Sequence, residues 1–131
     1  MQDNLYQGIH HISLLVQDLE KSLAFYHEVL EMPVADDRPD LPFAGAWLNV
    51  GQGQQIHLLM LPSPDAGVER PRHGGRDRHA ALCVTDLTQL RQKLDATGVD
   101  YTLSRSGRAA LFCRDPDDNA LEFLEPGARW T

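Results

Sequence analysis

Apolar and polar residues alternate along positions 9–17. Ile12, Leu14 and Val16 share one parity, and His11, Ser13 and Leu15 share the other. A period of two marks a strand with one buried face. His10 falls on the greasy parity, and a slip of one residue in register would exchange it with His11. Asp18 then reads as a helix N-cap, its carboxylate accepting from free N–H groups of the next turn. Leu19, Leu23, Tyr26 and Leu30 recur at helical spacing until Pro33 blocks continuation. A weak strand is expected near Val34–Asp36, and a loop at Pro39 and Pro42. Two strands follow over 44–50 and 54–61, joined by a turn at Gly51-Gln52-Gly53.

After residue 76 the order replays. In 79–85, Ala80, Leu82 and Val84 alternate with His79, Ala81 and Cys83. Asp86 caps a helix carrying Leu87, Leu90 and Leu94, and Gly98 stops it. Strands near 100–104, 109–114 and 119–125 complete the second half, the last two flanking Asp115-Pro116-Asp117-Asp118-Asn119. The spacing from His11 to Asp18 equals that from His79 to Asp86. Leu14, Val16 and Leu19 match Leu82, Val84 and Leu87. A repeat of this kind sets the architecture. The expected fold is α+β, built of two paired βαβββ modules. Each helix would cover the apolar face of its own sheet, and the opposite faces would curl around a cleft.

At 131 residues the chain has the size of one domain. Module one spans about 8–61, a Pro- and Gly-rich linker 62–76, and module two about 77–126. The net charge of −7 argues against nucleic acid as a partner. No apolar run approaches the ~20 residues of a membrane span. The N-terminus has neither the basic start nor the apolar segment of a signal peptide, so a cytoplasmic location is expected. Four arginines cluster in 70–78. They could bind an anionic small molecule, although a solvated linker accounts for them more simply. Cys83 and Cys113 lie in strand-like runs and read as buried free thiols.

Four metal-capable side chains occupy matched places in the two halves. His11 and His79 lie on the first strand of each, His57 and Glu122 on the last, all on the polar parity. Imidazoles with a carboxylate suit one divalent first-row metal: Zn, Ni, Co, Fe or Mn. A lone strand histidine is more often a satisfied core group, but four placements at duplicated positions are hard to ascribe to chance. His10, His27 and His73 have no counterpart and read as structural or solvent-facing.

The run His11-Ile12-Ser13-Leu14-Leu15-Val16-Gln17-Asp18-Leu19-Glu20-Lys21-Ser22-Leu23-Ala24-Phe25-Tyr26, ending in Val29-Leu30-Glu31-Met32, carries a resemblance. So does Phe112-Cys113-Arg114-Asp115-Pro116-Asp117-Asp118-Asn119-Ala120-Leu121-Glu122. The chain resembles the vicinal oxygen chelate superfamily, the glyoxalase, bleomycin-resistance and extradiol-dioxygenase group, over nearly its whole length. Asp118 stands where the closing turn of that family has glycine, and Asp tolerates a left-handed turn. The resemblance implies paired modules around an open metal site, with ligands at His11, His79 and Glu122. The remaining ligand position, typically a second glutamate in glyoxalase I-like members, is His57 here. The resemblance also implies a small-molecule substrate and a homodimer.

The chemistry common to the superfamily is chelation of two adjacent substrate oxygens by the metal, which stabilises an enediolate-type charge. Four protein ligands leave two positions of a six-coordinate metal. That favours a lyase or isomerase with Glu122 as the catalytic base. If His57 does not bind, a two-His-one-carboxylate site leaves room for a catecholate and dioxygen on Fe(II), as in an extradiol dioxygenase. A non-catalytic binding or resistance protein is the third reading, and a thiol transferase acting on an antibiotic epoxide finds no specific support. Trp47, Arg105 and Arg108 are candidate substrate-binding residues, and Phe112 sits in the strand equivalent to that of Trp47.

Overall fold

A computed structural model describes residues 4–130. In the first half, β1 (His11–Leu15) runs parallel to β3 (Gln55–Leu59), and β2 (Gly45–Asn49) lies antiparallel on the other side of β3. In the second, β4 (His79–Cys83) runs parallel to β7 (Ala120–Arg129). β6 (Arg108–Arg114) and β5 (Tyr101–Leu103) extend that sheet in antiparallel fashion. The orders are β1-β3-β2 and β4-β7-β6-β5. Each half therefore returns its last strand beside its first, the α+β duplication expected from the repeat. The strand expected near Val34 shrinks to a single bridge, Val34 to Leu48. Pro33 has no N–H to give the ladder, and Asp36 and Asp37 offer no apolar surface to bury.

Both aspartate caps form. Asp18 Oδ1 accepts from Lys21 N at 3.2 Å, opening α1 (Leu19–Leu23), and Asp86 Oδ1 accepts from Gln89 N at 3.0 Å, opening α2 (Leu87–Thr97). Gly98 ends α2 with φ +73°, a left-handed stop natural to glycine. The first helix is not regular to Leu30, as the spacing predicts. Residues Ala24–Val29 form a π-helical segment, with Leu30 N donating to Phe25 O. The wider coil brings adjacent Phe25 and Tyr26 inward together, and both are buried.

One core joins the halves: Val16, Tyr26, Leu48, Ile56 and Leu58 cluster with Leu87, Leu94, Leu111, Leu121 and Phe123. A polar joint seals it. Buried Asp115 accepts at Oδ2 from the Tyr26 hydroxyl (2.7 Å) and Asn119 Nδ2 (2.8 Å), and at Oδ1 from the N–H groups of Asp117 and Asn119. Asn119 Nδ2 also reaches Leu15 O of module one. Burial, and then the Asp115 charge, push the Tyr26 hydroxyl well above its ordinary pKa, so it stays a donor. Asp118 adopts φ +63° in this turn, the conformation its glycine-like position requires.

Two expectations fail on packing. Residues 62–76 are not merely a solvated linker. Gly74–Arg76 form a 3-10 turn laid on β6 and β7, and Gly74 is buried. A Cβ at Gly74 would lie 3.3 Å from Phe112 Cβ and 3.4 Å from Ala120 Cβ, which explains why the strap needs glycine there. Two of the four arginines in 70–78 are spent on the chain itself. Arg70 forks onto Asp77, Arg114 joins it, and Arg78 pairs with Asp65. Cys83, second, is exposed because β4 is an edge strand. Only Cys113 is buried, and burial pushes its thiol up to about 12. No helix among the described residues is long and apolar enough to cross a membrane.

Candidate metal centre

The sheet faces turned away from the helices carry the chemistry. On the first sheet Trp47 stands directly opposite His57 in the β2–β3 register, while His11 lies two positions along from the partner of His57 on β1. The three rings stack. His57 lies 3.9 Å from Trp47 at 4° and 4.0 Å from His11 at 15°. His57 is 5% exposed. Burial, and then the neighbouring His11, lower its pKa, which keeps it neutral and able to offer a lone pair. Its Nε2 lies 2.9 Å from Gln55 Oε1, while Gln55 Nε2 donates to Asp37 and Asn49. With the Gln55 amide so oriented, His57 Nε2 donates and Nδ1 carries the lone pair. His10 contacts His11 edge-on, their Nδ1 atoms 2.8 Å apart. The register puts His11, not His10, on the face of His57.

On the second sheet Glu122 is 3% exposed, yet it lies on the face opposite the core because Leu121 and Phe123 take the core positions. Its Oε1 is 3.1 Å from His79 Nε2, and its Oε2 is 3.2 Å from Arg108 Nη2. His79 Nδ1 lies 2.8 Å from Asp77 O, a bond only a protonated Nδ1 can make. A neutral His79 therefore faces Glu122 with a lone pair against a carboxylate, so a proton or a metal ion must lie between them. Two donors each about 2.1 Å from one divalent ion and about 90° apart sit roughly 3 Å from each other. The observed 3.1 Å fits such an ion without rearrangement.

His11 thus meets His57, and His79 meets Glu122, but the two pairs stay separate. Among the described residues no group of three or more His, Cys, Asp or Glu side chains is gathered as a metal would need. Each module brings together two metal-capable side chains. Two of the edge strands, β1 and β4, line a common cavity of about 520 Å³, with Ile12, Leu14 and Ile56 on one side and His79, Ala80 and Leu82 on the other.

Comparison with known proteins agrees with this architecture. The Glyoxalase/Bleomycin resistance protein/Dioxygenase superfamily matches residues 8–123. The chain belongs to this superfamily. It is 33% identical to "Glyoxylase I 4" of Arabidopsis thaliana, covering 88% of this chain and 69% of that protein. It is 29% identical to a lactoylglutathione lyase of Haemophilus influenzae, covering 88% and 90%. A fosfomycin resistance protein, FosX, of Listeria monocytogenes superposes with a TM-score of 0.70. That structure is of a mutant complexed with Mn(II) and 1S,2S-dihydroxypropylphosphonic acid. Its identity is 18% over 92% of this chain and 93% of that one, a likeness of fold.

Within this glyoxalase-superfamily frame, the other predicted residues divide. Trp47 stacks on His57 and Arg108 binds Glu122. Arg105 lies exposed in the β5–β6 turn and makes no side-chain polar contact among the described residues. His27 meets Met32 O, a structural role. His73 faces the site side of the second sheet rather than solvent. It packs edge-on against Phe112 and lies 2.6 Å from Thr102 Oγ1 through Nδ1. Gln55 and Asp77, which orient His57 and His79, escape sequence reasoning. One acts through an amide and the other through a backbone carbonyl, and neither leaves a motif.

Proposed function

We propose that the protein is a metal-dependent glyoxalase-like lyase or isomerase whose site is completed by a second copy of the chain. His11 and His57 of one copy and His79 and Glu122 of the other would hold one divalent ion of the Zn, Ni, Co, Fe or Mn class. The observation that carries the reading is the His79–Glu122 pair, Nε2 and Oε1 at 3.1 Å with the other imidazole nitrogen committed to Asp77 O, a spacing that one bridging ion fills. The separation of the two half-sites within one chain supports a homodimer. When bound, the metal would polarise two adjacent oxygens of a small-molecule substrate.

Glu122 is the one carboxylate in the ligand set, so it is the group that takes and returns the substrate proton. Arg108 holds Oε2 and leaves Oε1 on the side of His79. Phe112 lies edge-on to His79, and Trp47 covers one face of buried His57 and keeps water from it.

Subunit complementation tests this directly. His11→Ala and Glu122→Gln chains, each inactive in converting methylglyoxal plus glutathione to a thioester, are unfolded and refolded together. Random pairing makes half the dimers mixed, each with one intact site, so activity returns to roughly a quarter of wild type. No recovery would mean that the site is not shared.

One observation favours a second reading. The hydrogen bond of His57 Nε2 to Gln55 and its place in the Trp47 stack hold it as an orienting group. Three ligands would then remain, as an extradiol dioxygenase on Fe(II) needs. His57→Ala separates the readings. Weakened metal affinity supports four ligands, whereas unchanged affinity together with oxygen uptake on catechols supports three.

A further inference from the structure

Arg38 sits on the same sheet face as the His11–His57–Trp47 stack. The strand beneath it is β2, where Gly45 and Trp47 point to one side. A Cβ on Gly45 would fall 2.3 Å from Leu58 O, 3.1 Å from Arg38 Nη2 and 3.4 Å from its Nε, so the neighbouring strand excludes a side chain there and the guanidinium lies against the bare backbone. Nη2 donates to Phe43 O at 2.7 Å, and the charge lies 5.7 Å from the centre of the Phe43 ring. The group is therefore held in place. Its Nε–H is buried and has no hydrogen-bond partner.

Nor does Arg38 have a counter-ion. Among the described residues no carboxylate lies within 4.0 Å of it, although Asp36, Asp37 and Asp40 share its loop. Asp37 accepts instead from Gln55 Nε2. Arg70, Arg78, Arg108 and Arg114 are all paired with carboxylates. A fixed guanidinium with a buried free N–H costs stability unless something accepts from it. Its planar fork matches an oxyanion.

We propose that Arg38 is an anion subsite beside the His11–His57 half-site, receiving a carboxylate or phosphate-type group of the substrate. The substrate is thus anionic at a point remote from its chelated oxygens. Binding energy from that remote group positions the reacting end. The assignment of the substrate cleft rests on the reading under Proposed function; the anion site itself does not.

The test uses the full chain carrying Trp130→Phe, so that Trp47 is the remaining tryptophan. Trp47 fluorescence is followed while inorganic phosphate is added at constant ionic strength, with glycerol as the neutral probe. Saturable change with phosphate and none with glycerol is expected. Arg38→Met should weaken phosphate at least tenfold, and Arg38→Lys should fall between, keeping charge without the fork. Lys93→Met, a loss of one distant positive charge, should match the parent. Metal affinity is measured on the same samples and should be unchanged by Arg38→Met. Phosphate binding that survives Arg38→Met, or a glycerol response equal to that of phosphate, overturns the proposal. Parent protein that binds no metal but loses phosphate on Arg38→Met defeats the enzyme reading and keeps the anion site. Circular dichroism of Arg38→Lys and Arg38→Met guards against loss by unfolding.

Discussion

The His11–His57 and His79–Glu122 pairs, the two proposed half-sites, occupy equivalent strands and are built by opposite means. In module one, His57 is neutral, buried and stacked between His11 and Trp47, with no carboxylate at the matching place. In module two, the matching place holds buried Glu122, paired with Arg108 and facing Nε2 of His79. One half stacks rings, and the other holds a carboxylate against the Arg108 guanidinium. A duplicated backbone therefore fixes where donors stand and leaves their electrostatics free to diverge. The same contrast extends outward. Gln55 orients His57 through a neutral amide, whereas Asp77 orients His79 from within an arginine network.

The largest test of that contrast is Glu122→Gln. If module two carries the proton transfer, turnover of metal-loaded enzyme should fall about 10²–10⁴-fold, the usual worth of a general base. His57→Gln should lower turnover much less and act on metal affinity. Equal losses in kcat from the two substitutions would erase the distinction.

The joint between the modules comes next. Tyr26→Phe removes the donor to buried Asp115 and should cost about 1–3 kcal/mol in urea unfolding. Since both halves share one core, a single transition should persist. Separate transitions for the two modules would show that they are coupled more weakly than the common core implies.

The smallest effect concerns pH. Hydrogen bonding from Arg70, and then from Arg114, holds the Asp77 carboxyl well below the usual carboxylate range, against the opposing effect of burial. A depressed pKa contributes stability that is complete above about pH 4 and lost as pH falls toward the native value. Wild type should therefore lose urea stability below about pH 4 more steeply than Asp77→Asn. Parallel pH profiles would remove Asp77 as the acid-sensitive prop of the second half-site.

Much of this is legible before folding because it is local. Parity along a strand assigns His11, His79 and Glu122 to the faces away from the helices, and the caps at Asp18 and Asp86 follow from residue type and position. Asp118 in a left-handed turn is equally a matter of short-range geometry. The strap at Gly74, the exposure of Cys83 and the partners of the 70–78 arginines are not local. Each depends on which strand ends up at an edge and what lies across a face, and charge runs look alike whether solvated or paired. Arg38 leaves no trace in the residue pattern for the same reason. Its significance comes from Gly45, a residue on another element.

Residue order alone specifies the duplicated strand–helix plan, the family, and the four side chains that face away from the core, because alternation and capping act between near neighbours. That those four form two pairs rather than one cluster is settled by packing. It depends on how two sheets sharing one core turn their open faces, at a joint where Tyr26, Asp115 and Asn119 bond across the halves. Local pattern says which face a histidine takes; packing between modules says what it meets there.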